Sequence, residues 1–286
     1  LLRSLEPRTR KNYGTRLLRF TQFCNLRGIP ESQRMPASDA LLTTFVAEWS
    51  GKVAKTTVES WLAGLSFWHT LNEATWHGGH MLCQILKTIP KKESEKGKKC
   101  PPIMLEHLCA LRDRLDMRNT FDAAVFAMAC VAFWCCRRLG ELVIPSKTLF
   151  NLARHVVRGA KLGFKCTSGG GEYVNLHLPW TKKTGTKGFN IPITNWGGET
   201  ASVPAVRQHF EVNSEVPNDA LFFAFATRDD LCGWAPMTCD WFLGRCSKVW
   251  EAAGLESRTG HCFQIGGATK LLLLGVPPDI VQVLGG

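Results

Sequence analysis

Tyrosine is nearly missing from this chain: Tyr13 and Tyr173 are the two in 286 residues. No apolar run reaches the ~18 residues of a membrane-spanning helix, so no membrane span is expected. None of the twelve cysteines has a C-x-x-C partner, and His77-Gly-Gly-His80 stands alone. A zinc site is therefore not expected. Cys130, Cys135 and Cys136 lie in an apolar run and read as buried, reduced thiols of an intracellular protein. No signal-peptide pattern is visible. The chain opens on Leu1 rather than Met, which reads as an incomplete N-terminus. Acidic residues are scarce in the first third: residues 1–99 hold 16 Lys+Arg against 8 Asp+Glu, and residues 100–286 hold 19 against 16. The net charge of +11 is thus concentrated early. A basic first third points to a polyanion, nucleic acid ahead of membrane. Ordinary solvated helix faces are the alternative.

What is present reads first as short helices. Over 8–27, Tyr13, Leu17, Phe20 and Cys24 recur at helical spacing, while Arg8, Lys11, Thr15 and Arg19 line another face. Gly28-Ile29-Pro30 ends that helix. Ser38-Asp39 can cap a second, Ala40 to Trp49. Thr56 or Thr57 can cap a third, with Val58, Leu62, Leu65 and Trp68 or His69 as its apolar stripe. A fourth, Gly79 to Ile89, turns Leu82, Ile85 and Leu86 inward. The expectation is a compact helical domain over 1–90. Lys55, Thr56, Thr57 and Ser60 sit at or near a helix N-terminus, where a phosphate is readily held. Simple capping explains each of them equally well. Residues 91–101, with Lys91, Lys92, Lys96, Lys98 and Lys99, read as a basic linker.

A second domain is expected over 102–286. Met104 to Leu115 is amphipathic. Phe121 to Cys136 is apolar nearly all round and should be a buried helix. It delivers Arg137-Arg138-Leu139-Gly140-Glu141-Leu142. A guanidinium fixed at that place offers a planar fork of donors suited to phosphate. Glu141 can orient Arg138, or the two can form a structural ion pair. From Glu172 to Trp180 and again over Phe189, Ile191 and Ile193, apolar residues alternate. This predicts a β-hairpin whose turn, Thr181 to Gly188, carries Lys182 and Lys183. Helices follow at 203–212 and 239–253. In Gly260-His261-Cys262-Phe263-Gln264-Ile265-Gly266-Gly267, positions 261 and 264 share a helix face. Both side chains can then reach one small ligand, such as a single phosphate.

In that order, these boxes resemble the tyrosine recombinase (phage integrase) family. Arg138-Leu-Gly-Glu141-Leu is similar to its first arginine box, Trp180-Thr-Lys182 to its hairpin lysine, and His261-Cys-Phe-Gln264-Ile-Gly-Gly to its His-x-x-Arg box. The nearest tone is that of integrase-like proteins of fungal mobile elements. The resemblance implies a mainly α (α+β) protein: a helical core-binding domain and a mostly helical catalytic domain with a small antiparallel sheet, clamping duplex DNA between them. It implies a tyrosine attacking a DNA phosphodiester without metal or cofactor. Arg138 would hold the phosphate, Lys182 (or Lys183) would protonate the leaving oxygen, and His261 would be a phosphate ligand or acid–base partner. The implied partner is double-stranded DNA, with possible homo-oligomers on it, in the nucleus if the source is eukaryotic and otherwise intracellular.

The chain departs from the family at two places. Gln264 stands where the family has its second arginine, and neither tyrosine follows His261, where the family keeps its nucleophile. The expectation is a truncated, catalytically incomplete member, although some relatives draw the tyrosine from a neighbouring protomer. Two other readings stay open: a non-enzymatic DNA-binding protein on the same scaffold, and an unrelated helical interaction protein whose boxes match by chance.

Overall fold

The computed structural model describes residues 7–88, 101–160, 162–166 and 172–285. The chain divides into two compact units, Leu1–Lys99 and Cys100–Gly286. The basic stretch read over 91–101 lies, up to Cys100, outside the described residues. The protein is mainly α, with a small antiparallel sheet in the second unit.

The first unit contains α1 (Pro7–Leu26), α2 (Asp39–Trp49), α3 (Lys55–Leu71) and α4 (His80–Thr88). Phe45 is at the centre of its core, edge-on to Phe20 at 5.4 Å and to Phe23 at 5.3 Å. Leu42, Val46, Val58, Leu62, Leu65 and Leu82 close around it. Ser38 caps α2 by accepting from the Leu41 N–H at 3.2 Å. The third helix differs from expectation. Its N-cap is Ala54, which makes no side-chain bond, and Thr56 and Thr57 lie inside the first turn.

His69 completes the buried stripe of α3, whereas Trp68 is half-buried. Its Nδ1–H donates to the Leu65 carbonyl (2.8 Å), and its Nε2 accepts from the Ala37 N–H (2.9 Å). The imidazole thus satisfies a fully buried backbone donor. Leaving such a donor unpaired costs about 1–3 kcal/mol. His69→Phe is therefore expected to destabilise the helical unit by about 2 kcal/mol. Urea unfolding followed by tryptophan fluorescence reads this directly, because Trp68 and Trp76 stand 5.5 and 5.1 Å from the ring.

The second unit begins with α5 (Leu105–Arg114) and α6 (Thr120–Trp134). Asn119 caps α6 by accepting from the Phe121 and Asp122 N–H groups. Every residue of α6 from Asp122 to Trp134 is buried, as its all-round apolar sequence requires. Around it are packed α7 (Leu139–Leu142), α8 (Ser202–Val212), α9 (Cys239–Ala252) and α10 (His261–Leu273), and α11 (Pro278–Gly285) packs against α10. The sheet has three strands, β1 (Gly163–Cys166), β2 (Glu172–Leu178) and β3 (Phe189–Thr194), in that order and antiparallel. Val174 faces Ile193 and Leu176 faces Ile191, so the alternating residues share the core side. β1, α11 and the two-residue strands β4 (Phe225–Ala226) and β5 (Trp234–Ala235) go beyond the elements read from sequence. Cys130, Cys135 and Cys136 are free, buried thiols. No helix among the described residues is long and apolar enough to cross a membrane.

Candidate anion site at the end of the buried helix

The site grows from the C-terminal end of α6. Cys136 adopts φ 52°, the left-handed conformation that commonly ends helices. The Arg137 N–H closes the turn on the Ala132 carbonyl at 2.9 Å. Arg138 then becomes the N-cap residue of α7. The two arginines part company here. Arg137 is wholly buried, with its guanidinium over the Phe189 ring at 5.3 Å, while the Arg138 side chain is 39% exposed. Glu141 is buried between them: one oxygen is 3.6 Å from Arg137 Nη1 and the other 3.6 Å from Arg138 Nη1. Burial pulls the Arg137 pKa down and Glu141 pushes it back up. Arg137 still carries its charge, since guanidinium titrates far above neutrality.

α10 is brought to this place by glycines. A Cβ on Gly260 would stand 2.6 Å from Leu139 Cδ1, and one on Gly267 would stand 2.8 Å from the Phe133 carbonyl carbon. The Ile103 N–H donates to the Cys262 carbonyl at 3.1 Å, and Gly266 is pressed on the Ile103 backbone. The first turns of α10 therefore adjoin the end of α6 and the start of α7. His261 opens α10 and is exposed. Gln264, half-buried, donates its side-chain amide to the Gly285 carbonyl of α11 at 3.0 Å. One of its two amide hydrogens is thus engaged with protein.

The turn end of the hairpin reaches the same region, where Phe189 pairs with Leu178. Phe189, the first residue of β3, covers Arg137, and the Cys135 thiol donates to the Pro192 carbonyl at 3.5 Å. The turn is held by Thr181, whose hydroxyl meets that of Thr184 at 2.7 Å. Lys182 and Lys183 are exposed on it. Among the described residues, no hydrogen bond or ion pair joins either lysine to Arg138 or His261. Arg138, Glu141, His261 and Gln264 therefore lie on adjoining elements, with the lysines on the turn that the Leu178–Phe189 pair closes. Arg137, buried beside Glu141, was not among the site residues read from the sequence. The available signal was a second arginine directly after a wholly apolar helix.

In the first unit, Lys55 lies 3.9 Å from Glu59, one turn along α3. Thr56 is exposed, and Thr57 and Ser60 are half-buried. The side chains of Arg8 and Lys11 lie outside the described residues. A groove at the opposite end of α6 sets three cations, Lys147, Arg228 and Arg245, against four carboxylates, Asp122, Glu215, Asp229 and Asp230, and so is no rival for an anion. Arg245 is bound through two 2.7 Å bonds to Asp122, and Lys147 is paired with Asp230 at 3.1 Å. No group of three or more His, Cys, Asp or Glu among the described residues could hold a metal.

By sequence, no protein-family model and no curated protein matches the chain. By structure, it is similar to the XerH site-specific recombinase bound to palindromic difH substrate, with a TM-score of 0.62 at 16% identity over 96% of this chain and 72% of that one. The fold is that of the recombinases and integrases. The Tn1549 transposon integrase in complex with transposon right-end DNA gives 0.58 at 13% identity, over 99% of this chain and 86% of that one. A lambda integrase dimer bound to a COC′ core site gives 0.55 at 14%, over 99% and 89%.

Proposed function

We propose that this chain is a DNA-binding protein of the tyrosine recombinase type that holds a backbone phosphate at Arg138 and His261 and is catalytically incomplete, because Gln264 replaces a charged fork and neither Tyr13 nor Tyr173 is placed as a nucleophile. One observation carries the reading: Gly260 lies against Leu139, which sets His261 beside the element that Arg138 opens. The similar structures were solved on DNA, and the lambda integrase as a dimer. This supports duplex DNA as the partner and more than one copy on it. Lys55, Thr56, Thr57 and Ser60, at the uncapped start of α3, would add phosphate contacts, as would Arg8 and Lys11. Lys182 or Lys183 would supply a proton to a leaving oxygen.

Gln264 limits the chemistry. It is neutral and offers a single hydrogen bond where an arginine would offer a charged fork. Bonds to charged groups are worth roughly 1.5–3 kcal/mol, so the loss of such a clamp lowers a rate by about 10²-fold. The mechanism assigns neither tyrosine as nucleophile. Tyr13 lies tilted against Phe67 at 4.9 Å in the helical unit, and Tyr173 pairs with Thr194 in the sheet.

Duplex affinity is expected to fall steeply with salt, with log K against log salt sloping by about −0.9 for each phosphate neutralised. Fluorescence anisotropy on a mixed-sequence duplex measures it, and a flat response would remove the proposal's electrostatic basis. A duplex nicked beside the cleavage point is expected to give no covalent adduct with this chain. A protein–DNA band resistant to denaturation would instead show an active enzyme.

A further inference from the structure

The arginine box contains one charge more than an anion clamp needs. Arg137 is fully buried, and its Nε, Nη1 and Nη2 make no hydrogen bond. Its charged neighbour is Glu141, whose two oxygens are shared evenly with Arg138 at 3.6 Å each. A buried ion pair is a poor source of stability, because the desolvation of both charges offsets their attraction. An apolar residue under Phe189 would pack at less cost. The arrangement makes sense instead as charge bookkeeping. Two guanidinium groups and one carboxylate leave a net +1, and Arg138 is the one member of the three that reaches solvent.

Resting on the phosphate-binding reading above, we propose that Arg137 is a positioning residue: it occupies Glu141 so that Arg138 stays free to face an anion. Without Arg137, Glu141 is a desolvated carboxylate with one partner left, on the same turn of α7. Buried charges seek pairing strongly. Glu141 then captures Arg138, turns its fork inward and cancels its charge. Arg137 also ties the site to the hairpin, since it bears on Phe189 at the start of β3. The effect of Arg137 on the anion is thus exerted wholly through Glu141.

That dependence gives the test. Duplex affinity and its salt slope are measured for the full chain and for Arg138→Ala, Arg137→Met and the double variant Arg137→Met/Glu141→Gln, with thermal melting of each. Arg138→Ala is expected to bind about tenfold more weakly and to flatten the salt slope by about one. Arg137→Met is expected to fold and to reproduce both changes, although it touches no phosphate. Adding Glu141→Gln is expected to return affinity to within about threefold and to restore the slope, because the capturing charge is gone. A merely structural Arg137 would show no such rescue. The inference is overturned if Arg137→Met binds like the parent chain, if the double variant stays as weak as the single one, or if Arg137→Met unfolds, since Arg138 then cannot replace it on Glu141. If Arg138→Ala itself leaves binding and slope unchanged, the phosphate site is wrong and the inference falls with it.

Discussion

Gly267→Ala is expected to cost the second unit about 3 kcal/mol or more, the upper end for forcing one methyl group into a close-packed interior. The added carbon would fall on the Phe133 carbonyl oxygen, well inside contact distance, with the carbonyl carbon at 2.8 Å and the Cys136 sulfur at 3.4 Å. The obstacle is helix backbone, which cannot rotate away as a side chain can. Relief requires α10 to lift off α6 and to carry His261 and Gln264 with it. At roughly 2–4 °C per kcal/mol for a unit of this size, the melting temperature falls by about 6–12 °C. Phosphate binding should fall with it, to the level of a chain lacking Arg138. Gly244→Ala is the control. It lies exposed in α9 with nothing near its would-be Cβ, so the same change there is expected to stabilise by up to about 1 kcal/mol. Equal and small effects at both positions would mean that α10 does not sit on α6 as described.

These glycines also show how far a sequence could be read. The boxes were visible in order, and so were the buried α6 and the β2–β3 pairing, because each rests on a local period or a fixed spacing. Three-dimensional facts were not visible. Gly266-Gly267 could be seen as a pair, but the carbonyls of Ile103 and Phe133 that demand it are more than a hundred residues upstream. β1 escaped because Gly163-Phe164-Lys165-Cys166 is too short to show alternation, and it is paired only by its register with Glu172–Asn175. β4 and β5 are two residues each. The α3 cap was misplaced because threonines near a helix start have the chemistry of a cap, and only the backbone shows that the helix already began at Lys55. Arg137 and Arg138 are adjacent and chemically identical. Their division into a buried and an exposed group depends on the left-handed turn at Cys136, a conformation that glycine would have announced and cysteine did not.

Acidification is expected to remove a further share of the second unit's stability through a histidine outside the anion site. His209 is fully buried on α8. The Asn213 amide donates to its Nδ1 at 3.0 Å, which places the ring proton on Nε2, where it is given to the Phe222 carbonyl at 3.1 Å. Arg158 Nη1, 3.4 Å from that same nitrogen, is then a neighbouring cation rather than a hydrogen-bond partner. Burial above all, with Arg158 adding to it and the Phe222 carbonyl opposing, pushes the His209 pKa down to about 3. In the unfolded chain the ring titrates near 6.5. The folded state therefore binds fewer protons than the unfolded one between those values, and stability drops as pH falls. The contribution is complete above about pH 6.5 and is lost progressively towards pH 3. At 1.36 kcal/mol per pKa unit, it is on the order of 5 kcal/mol. His107 is shifted in the same direction, chiefly by burial, so the parent curve alone does not isolate one ring. His209→Gln does, because glutamine retains a donor and an acceptor but does not titrate. Urea unfolding at pH 7 and pH 4.5 should show the parent losing about 2.5 kcal/mol more than this variant. Parallel losses would place the ring's charge change elsewhere and would contradict a neutral, fully enclosed His209.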